Sequence, residues 1–460
     1  MSIQKAYAFP HPPLAIAEIG KGDEKLITDT LMAFDIAAKE IAQLAPEVIV
    51  FVTPHNINYS DYIVISGGYA TKGNFARFGV PGISFNVEYD SEFCEILART
   101  AAKRDITAGT EGELDRNLDH GVMVPMYFIM KYYSDFKVVR VSQSGLELST
   151  TYMFGECIRE TAQLLSRPTV VVASADLSHK LEGSPYGSKP EGAEFDSQIV
   201  SIMKSADFGS LFKIDDELRE KAAECGYRSY LTMAGCFDKQ QVKAKLLSYE
   251  GPFGVGYAVL DFEPQESDES RNFREQYMKN NYDEAVLAKT TEDDYCKLAR
   301  ESLEYSVKNN EVLPKPANLP DEMYKEQAGV FVTIHKAGLL RGCIGTISPT
   351  KNSVVEEIIQ NAISAGLQDP RFTPIKVEEL DFLEYKVDVL KPAQEVSSTD
   401  ELDVKKYGVI VSSGSKRGLL LPNLDGVDTI EQQLSIAKQK ASINEHEKVK
   451  IERFEVVRHG

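Results

Sequence analysis

Short apolar runs alternate with amphipathic stretches over residues 1–262, and several of the runs end in the same way. Val48 to Val52 is uninterrupted apolar sequence, as in a strand buried on both faces. Thr53 and Pro54 close it, and His55 follows at once. Ala6 to Phe9 runs into Pro10 and His11, and Thr169 to Ala173 runs through a polar turn to His179. His120 stands in NLDHG, just before the helix-like MVPMYFIMKYY. Further strands are expected at Asp61–Gly67, Phe136–Ser142, KAKLLSYEG and GVGYAVLDF. Helical spacing marks Asp29–Ala45, Ser149–Leu165 and Asp216–Phe237. Such alternation predicts an α/β domain, a mostly parallel or mixed sheet flanked by helices.

The pattern changes after residue 262. EPQESDESRNFREQ (Glu263 to Gln276) is polar, acidic and without apolar periodicity, so it reads as a flexible domain boundary; 263–289 is a linker with a helical start, and the 35 residues after Gln276 look helical. Residues 290–460 then form a second, smaller domain. AGVFVTIHKAGLLRGCIGTI predicts a hairpin turning at Lys336 to Gly338, and SVVEEIIQNAISAGLQ an amphipathic helix. Strands and helices mix there without a βαβ rhythm, which points to α+β.

Composition narrows the function classes. A chain of 460 residues is long for one core and fits two domains. Its net charge of −19 argues against a nucleic-acid or anionic-membrane partner, because no basic stripe offsets phosphate repulsion. No apolar run approaches the roughly 20 residues that span a bilayer, and MSIQKAYAFPHPP lacks the layout of a signal peptide. Six scattered cysteines without a CxxC pair fit a reduced, cytoplasmic protein.

Four of the seven histidines stand at element junctions, and in open α/β sheets ligands bind beyond the carboxyl ends of the strands. His11, His55 and a carboxylate would make the two-histidine, one-carboxylate face associated with non-haem Fe(II), leaving open positions for a catechol and dioxygen. Glu224, in AAECGYRSY, is the favoured carboxylate. Its neighbour Cys225 is an alternative ligand, and a thiolate there would suit zinc or copper. His120 and His179 are left for proton work. A helix N-terminus would keep His120 neutral, and His179 is the expected acid/base. Plainer roles stand beside these: histidines after strands often cap or pack, Glu224 and Arg228 suit a structural ion pair, and Ser174, Asp176 and Ser178 suit a turn.

With FPHPP, VTPHN, LDHG, SADLSH and ECGYRS in that order, the first 262 residues resemble the class III extradiol ring-cleavage dioxygenases (LigB-like), in the branch grouped with Memo-like proteins. The resemblance implies Fe(II) held at His11, His55 and Glu224, with His120 and His179 on the substrate side and a catechol-like aromatic as substrate. ECG also resembles the Cys-Gly of Memo-like relatives, where the cysteine lies at the metal. Related dioxygenase domains often associate, so a homo-oligomer is compatible with the resemblance.

In LLRGCIGTI, residues Arg341, Gly342, Cys343 and Gly345 suggest a small nucleophile site, since an arginine beside a thiol favours the thiolate. The alternative is a glycine-flanked strand with an inert cysteine, and His335 is the histidine nearest in sequence. LRGCIGT, DPRFTP and GLLLPN resemble the AMMECR domain family across roughly residues 290–460. The two halves together resemble the AmmeMemoRadiSam system, which implies a radical SAM protein as partner. Two readings follow, an Fe(II) ring-cleavage dioxygenase-like enzyme and a non-oxygenase, Memo-like metal-binding module. A third places the reactive centre at Cys343.

Overall fold

Every residue of Val48–Thr53 is buried, and its successive side chains enter opposite cores: Val48, Val50 and Val52 one, Ile49 and Phe51 the other. Period-2 alternation with both sides apolar requires helices above and below. The structure, a computed structural model, describes residues 2–424 and 426–460. It divides into two units, Met1–Met278 and Lys279–Gly460.

In chain order the first unit contains β1 (Ile3–Phe9), α1 (Thr28–Leu44), β2 (Val48–Thr53), α2 (Ser91–Ala102), α3 (His120–Ile129), β3 (Lys137–Ser142), α4 (Leu148–Leu165), β4 (Thr169–Ser174), α5 (Pro190–Ser205), α6 (Asp216–Ala222), α7 (Tyr227–Gly235), β5 (Gln240–Glu250) and β6 (Tyr257–Ser267). The strands form one sheet in the order β3-β2-β4-β1-β6-β5. The first four are mutually parallel, whereas β6 pairs antiparallel with both β1 and β5, so the sheet is mixed. Phe34 of α1 and Val122 of α3 pack on one face; Phe93 of α2, Phe154 of α4 and Tyr230 of α7 pack on the other. The register pairs Phe9 with Ser174 and Thr53 with Ser142. The carboxyl ends of the parallel strands are therefore level, and the segments leaving them start side by side.

Three expectations need correction. The strand expected at Asp61–Gly67 shrinks to Ile63–Val64, paired with Ala108–Gly109. The helix expected over Asp216–Phe237 is broken into α6 and α7. Ala223 takes a left-handed conformation (φ 51°), and a Cβ at Gly226 would lie 2.4 Å from Ala175 Cβ and 2.7 Å from the Asp176 carbonyl oxygen. The break thus fits the chain against the end of β4. The stretch Glu263–Gln276, expected to be a flexible boundary, has regular structure at both ends: β6 runs on to Ser267, and α8 (Phe273–Thr291), a helix expected only after Gln276, already begins at Phe273.

Beyond Met278 come α9 (Asp294–Asn309), β7 (Val330–Lys336), β8 (Leu339–Gly345), α10 (Val354–Leu367), β9 (Leu383–Leu390), β10 (Gln394–Glu395), β11 (Gly408–Ser413), β12 (Lys416–Leu420), α11 (Ile430–Lys440), β13 (Lys450–Phe454) and β14 (Val456–His459). They form two antiparallel sheets, β8-β7-β9-β14 and β10-β13-β11-β12, an α+β arrangement. The β7–β8 hairpin turns through Ala337 and Gly338, both at positive φ (54° and 76°), as a two-residue primed turn requires. No described helix is long and apolar enough to cross a membrane.

Candidate functional site

Pro10 ends β1 and delivers His11 into the interior, where its backbone N–H donates to Asp176 Oδ1 (2.7 Å) and its ring is 2% exposed. Ring Nδ1 lies 2.8 Å from Ser174 Oγ, at the end of β4. The Ser174 hydroxyl has one proton and spends it on the Gly121 carbonyl, 2.6 Å away. It must therefore accept from His11, which fixes the proton on Nδ1 and leaves the Nε2 lone pair free. His55 follows β2, its backbone N–H donating to Thr53 Oγ1 (3.2 Å), while the Thr53 hydroxyl donates to Asp119 Oδ1 (2.7 Å). His55 Nε2 comes within 2.9 Å of His11 Nε2.

Cys225, in the break between α6 and α7, completes a group of three. Its Sγ is 3.6 Å from His11 Nε2, and the ligand atoms of His11, His55 and Cys225 all lie within 4.8 Å of one another. A tetrahedral ion with ordinary metal–nitrogen and metal–sulfur distances spaces its nitrogens by about 3.3 Å and nitrogen from sulfur by about 3.6 Å. The three donors fit such an ion and leave room for a further ligand. Glu224 does not join them. Its carboxylate accepts the backbone N–H of Tyr227 (2.7 Å) at the start of α7, so the structure brings Cys225, not Glu224, to the histidine pair. Arg228 donates to the Leu146 carbonyl (2.6 Å) and Thr151 Oγ1 (3.2 Å).

The other two histidines border this group. His120 is the first residue of α3, whose N-cap Asp119 accepts from Val122 N–H. Its ring stacks on that of His55, with centroids 4.0 Å apart. His179 lies close enough for its charge to act on His11 and His55, and its Nδ1 is buried without a hydrogen bond of good geometry among the described residues.

Burial, followed by the neighbouring imidazoles, pushes His11 well below the usual histidine range; the same two influences bring His55 down to about 4. Burial also lowers His120, against the pull of Asp119, and His179, against the nearby Ala223 and Leu177 carbonyls. All four rings are neutral at pH 7 and available as lone-pair donors. Burial pushes Asp176 up to about 7 despite the His11 N–H bond, and raises the Cys225 thiol, with Asp176 and Glu224 adding to the effect. A bound cation would reverse that effect on the thiol.

Several contributors went unrecognised in the sequence or passed as turn formers. Ser174 and Asp176 orient His11 from SADLSH, whose polar residues directly follow a wholly buried strand. Gln143 Nε2 donates to the Cys225 carbonyl and to Ser229 Oγ (both 2.8 Å) from the end of β3. Arg140, fully buried, bonds Glu113 and reaches Asp119 (3.4 Å) behind His120. In the second unit Arg341 does not serve Cys343; its Nε and Nη2 bind the Glu379 carboxylate (3.0 and 3.1 Å). A Cβ at Gly342 would meet the Ala365 carbonyl (2.1 Å) and one at Gly345 the Phe331 ring (2.2 Å), so both glycines serve packing. His335 is half-buried, and burial lowers it.

A mixed α/β sheet with histidines and a thiol gathered beyond its parallel strands, followed by an α+β unit, defines a two-domain protein with a candidate metal site. The chain belongs to the family described as the catalytic LigB subunit of aromatic ring-opening dioxygenase, whose model matches residues 5–260, and an AMMECR1 domain matches residues 296–459. It is therefore a LigB-family domain fused to an AMMECR1 domain. It is 41% identical over 470 residues to Protein CA_C1420 of Clostridium acetobutylicum, covering 100% of this chain and 99% of that one. A Thermotoga maritima protein is 50% identical over 170 residues, which is 36% of this chain and 98% of its own. The crystal structure of uncharacterized protein PH0010 from Pyrococcus horikoshii is 31% identical, covers 36% of this chain and 88% of its own, and has a TM-score of 0.34.

Proposed function

We propose that the LigB-family unit is a metal centre of the non-oxygenase, Memo-like kind, with His11, His55 and Cys225 as ligands and zinc or copper as the metal. The observation that carries this reading is the placement of Cys225 Sγ, 3.6 Å from His11 Nε2, where the facial iron triad would need a carboxylate. Two imidazoles and a thiolate form a softer donor set than two imidazoles and a carboxylate. Such an ion, when bound, supplies Lewis-acid polarisation or, for copper, electron transfer. Ser174 and Asp176 hold His11 with its Nε2 lone pair presented, and Gln143 fixes the peptide of Cys225. His120 and His179, neutral beside the cluster, take and return protons of the bound substrate. The resemblance to the AmmeMemoRadiSam system supports a radical SAM protein as partner in a modification pathway.

Metal analysis of protein purified without oxygen tests this reading. Near-stoichiometric zinc or copper in the wild type is expected to vanish in Cys225→Ala and in the His11→Ala, His55→Ala double variant, and to persist in Glu224→Ala. Iron that survives Cys225→Ala and is lost in Glu224→Ala would overturn it. A second reading, Fe(II)-dependent ring opening of a catechol-like aromatic, draws support from the family described for residues 5–260. It requires oxygen uptake with a catechol, abolished in His179→Ala.

A further inference from the structure

Arg140 lies on β3 with its side chain fully buried, a rare position for a group that is always charged. It bonds Glu113, whose side chain is 3% exposed, and donates to Ser66 Oγ and the Asn117 carbonyl (both 2.7 Å). Asn56, next to His55, and Ser66 donate to the same Glu113 oxygen (3.1 and 2.6 Å). Arg140 and Glu113 thus form a neutral pair that fastens the segment before α3 to the sheet. Asp119 is a second carboxylate on the same guanidinium, its Oδ2 3.4 Å from Arg140 Nη1.

Among the described residues, Glu113 and Asp119 only accept hydrogen bonds, and no other charged group bonds to either. Two carboxylates and one guanidinium leave this network with one net negative charge. Anchoring the segment needs only the Glu113 pair. Capping α3 needs no charge at Asp119, since asparagine or serine caps a helix about as well. An unbalanced buried charge is costly, and its surroundings show what it faces. The Thr53 hydroxyl donates to Asp119 Oδ1 (2.7 Å) and accepts the His55 N–H (3.2 Å). A Cβ at Gly121 would lie 2.5 Å from Thr53 Oγ1, 2.9 Å from Asp119 Oδ1 and 3.1 Å from Ser174 Oγ, the hydroxyl that holds His11. The carboxylate therefore stands where the supports of His11 and His55 meet. Arg77, whose charge also reaches His120, is 89% exposed and paired with Asp115 (3.9 Å), so water screens it.

We propose that Asp119, clamped by Arg140, is a positioning residue for the His11–His55–Cys225 group and supplies a fixed negative charge that favours a doubly charged ion there over a singly charged one. Asp119 acts through Thr53 and through its charge, without being a ligand. The attraction of a fixed charge is proportional to the charge it acts on. On the metal-centre reading, which this proposal requires, Asp119 narrows the choice from zinc or copper to a divalent ion.

The test compares Zn(II) with Cu(I), each bound without oxygen to the metal-free full chain in competition with a chelator, in the wild type and in Asp119→Asn. Asparagine keeps an oxygen for Thr53 and Val122 and removes only the charge. Both ions need the Cys225 thiolate, so that requirement cancels in the comparison. Zn(II) affinity is expected to fall roughly tenfold and Cu(I) affinity by no more than about threefold. Equal losses for the two ions, which a disturbed fold produces, or no loss for either, would overturn the proposal. Should Asp119→Asn not fold, Asp119→Ser, another neutral cap, takes its place; failure of both to fold makes the carboxylate a requirement of the fold and overturns the proposal as well. Wild type that binds neither ion refutes the metal-centre reading and this proposal with it. Wild type that binds both, with equal losses in the variant, refutes this proposal alone.

Discussion

The hydroxyl of Ser174 determines which nitrogen of His11 faces the cluster, because its only proton goes to the Gly121 carbonyl. Ser174→Ala frees the ring to change tautomer, and on the proposed reading metal affinity falls roughly 10- to 100-fold, measurable by competition with a chelator. Asp196 offers a test independent of any metal. It is fully buried, and burial pushes it up to about 7, although Ser178 N–H and Tyr249 O–H (both 2.8 Å) donate to it. Unfolded, it ionises near the ordinary aspartate value of about 3.9. Between those two values the native state holds more protons than the unfolded chain, so stability falls as pH rises through that window. Asp176 and Asp238, pushed up to about 7 and about 6 by burial, act in the same sense. The buried histidines, lowered in the native state, act in the opposite sense, so the test is the difference between two proteins: the urea midpoint of Asp196→Asn is expected to rise relative to the wild type between pH 4.5 and 7.5.

At the scale of elements, the joint between α6 and α7 positions the thiol, and Gly226 is its tightest point. In Gly226→Ala the new methyl meets Ala175 Cβ and the Asp176 carbonyl, neither of which can swing away. The expected cost is about 1–3 kcal/mol, seen as a lower melting temperature together with loss of the metal ascribed to Cys225. That joint was the part of the site least legible in the sequence. The buried strands and the histidines after them could be read because an apolar run ended by proline and histidine carries its own boundary. AAECGYRSY kept helical spacing across the break, since left-handed Ala223 is imposed by the fit against β4 rather than by local preference. Cys343 was misread similarly: Arg341 is its near neighbour in sequence, yet the guanidinium beside it comes from Arg371, across the sheet edge.

For the molecule as a whole, the first unit keeps more of the chain than its composition suggested. Phe273 and Tyr277 pack on the first unit's core, Tyr277 stacks on Phe212 (4.3 Å between centroids), and Arg274 Nε pairs with Glu156 (2.7 Å). A fragment ending at Met278 is expected to melt at least about 5 °C above one ending at Phe262, since each kcal/mol is worth about 2–4 °C in a domain of this size; calorimetry on the two fragments checks this. The cluster itself joins residues 214 positions apart, His11 and Cys225. At ribosomal speed, roughly 10 to 40 s separate their synthesis. During that interval the growing chain carries a histidine pair with no thiol to complete it, and a chain that stalls there never gains one. On the proposed reading, delivery of an ion to the finished three-residue group must wait until most of the first unit has emerged, which would make loading one of the last steps in the making of each new molecule.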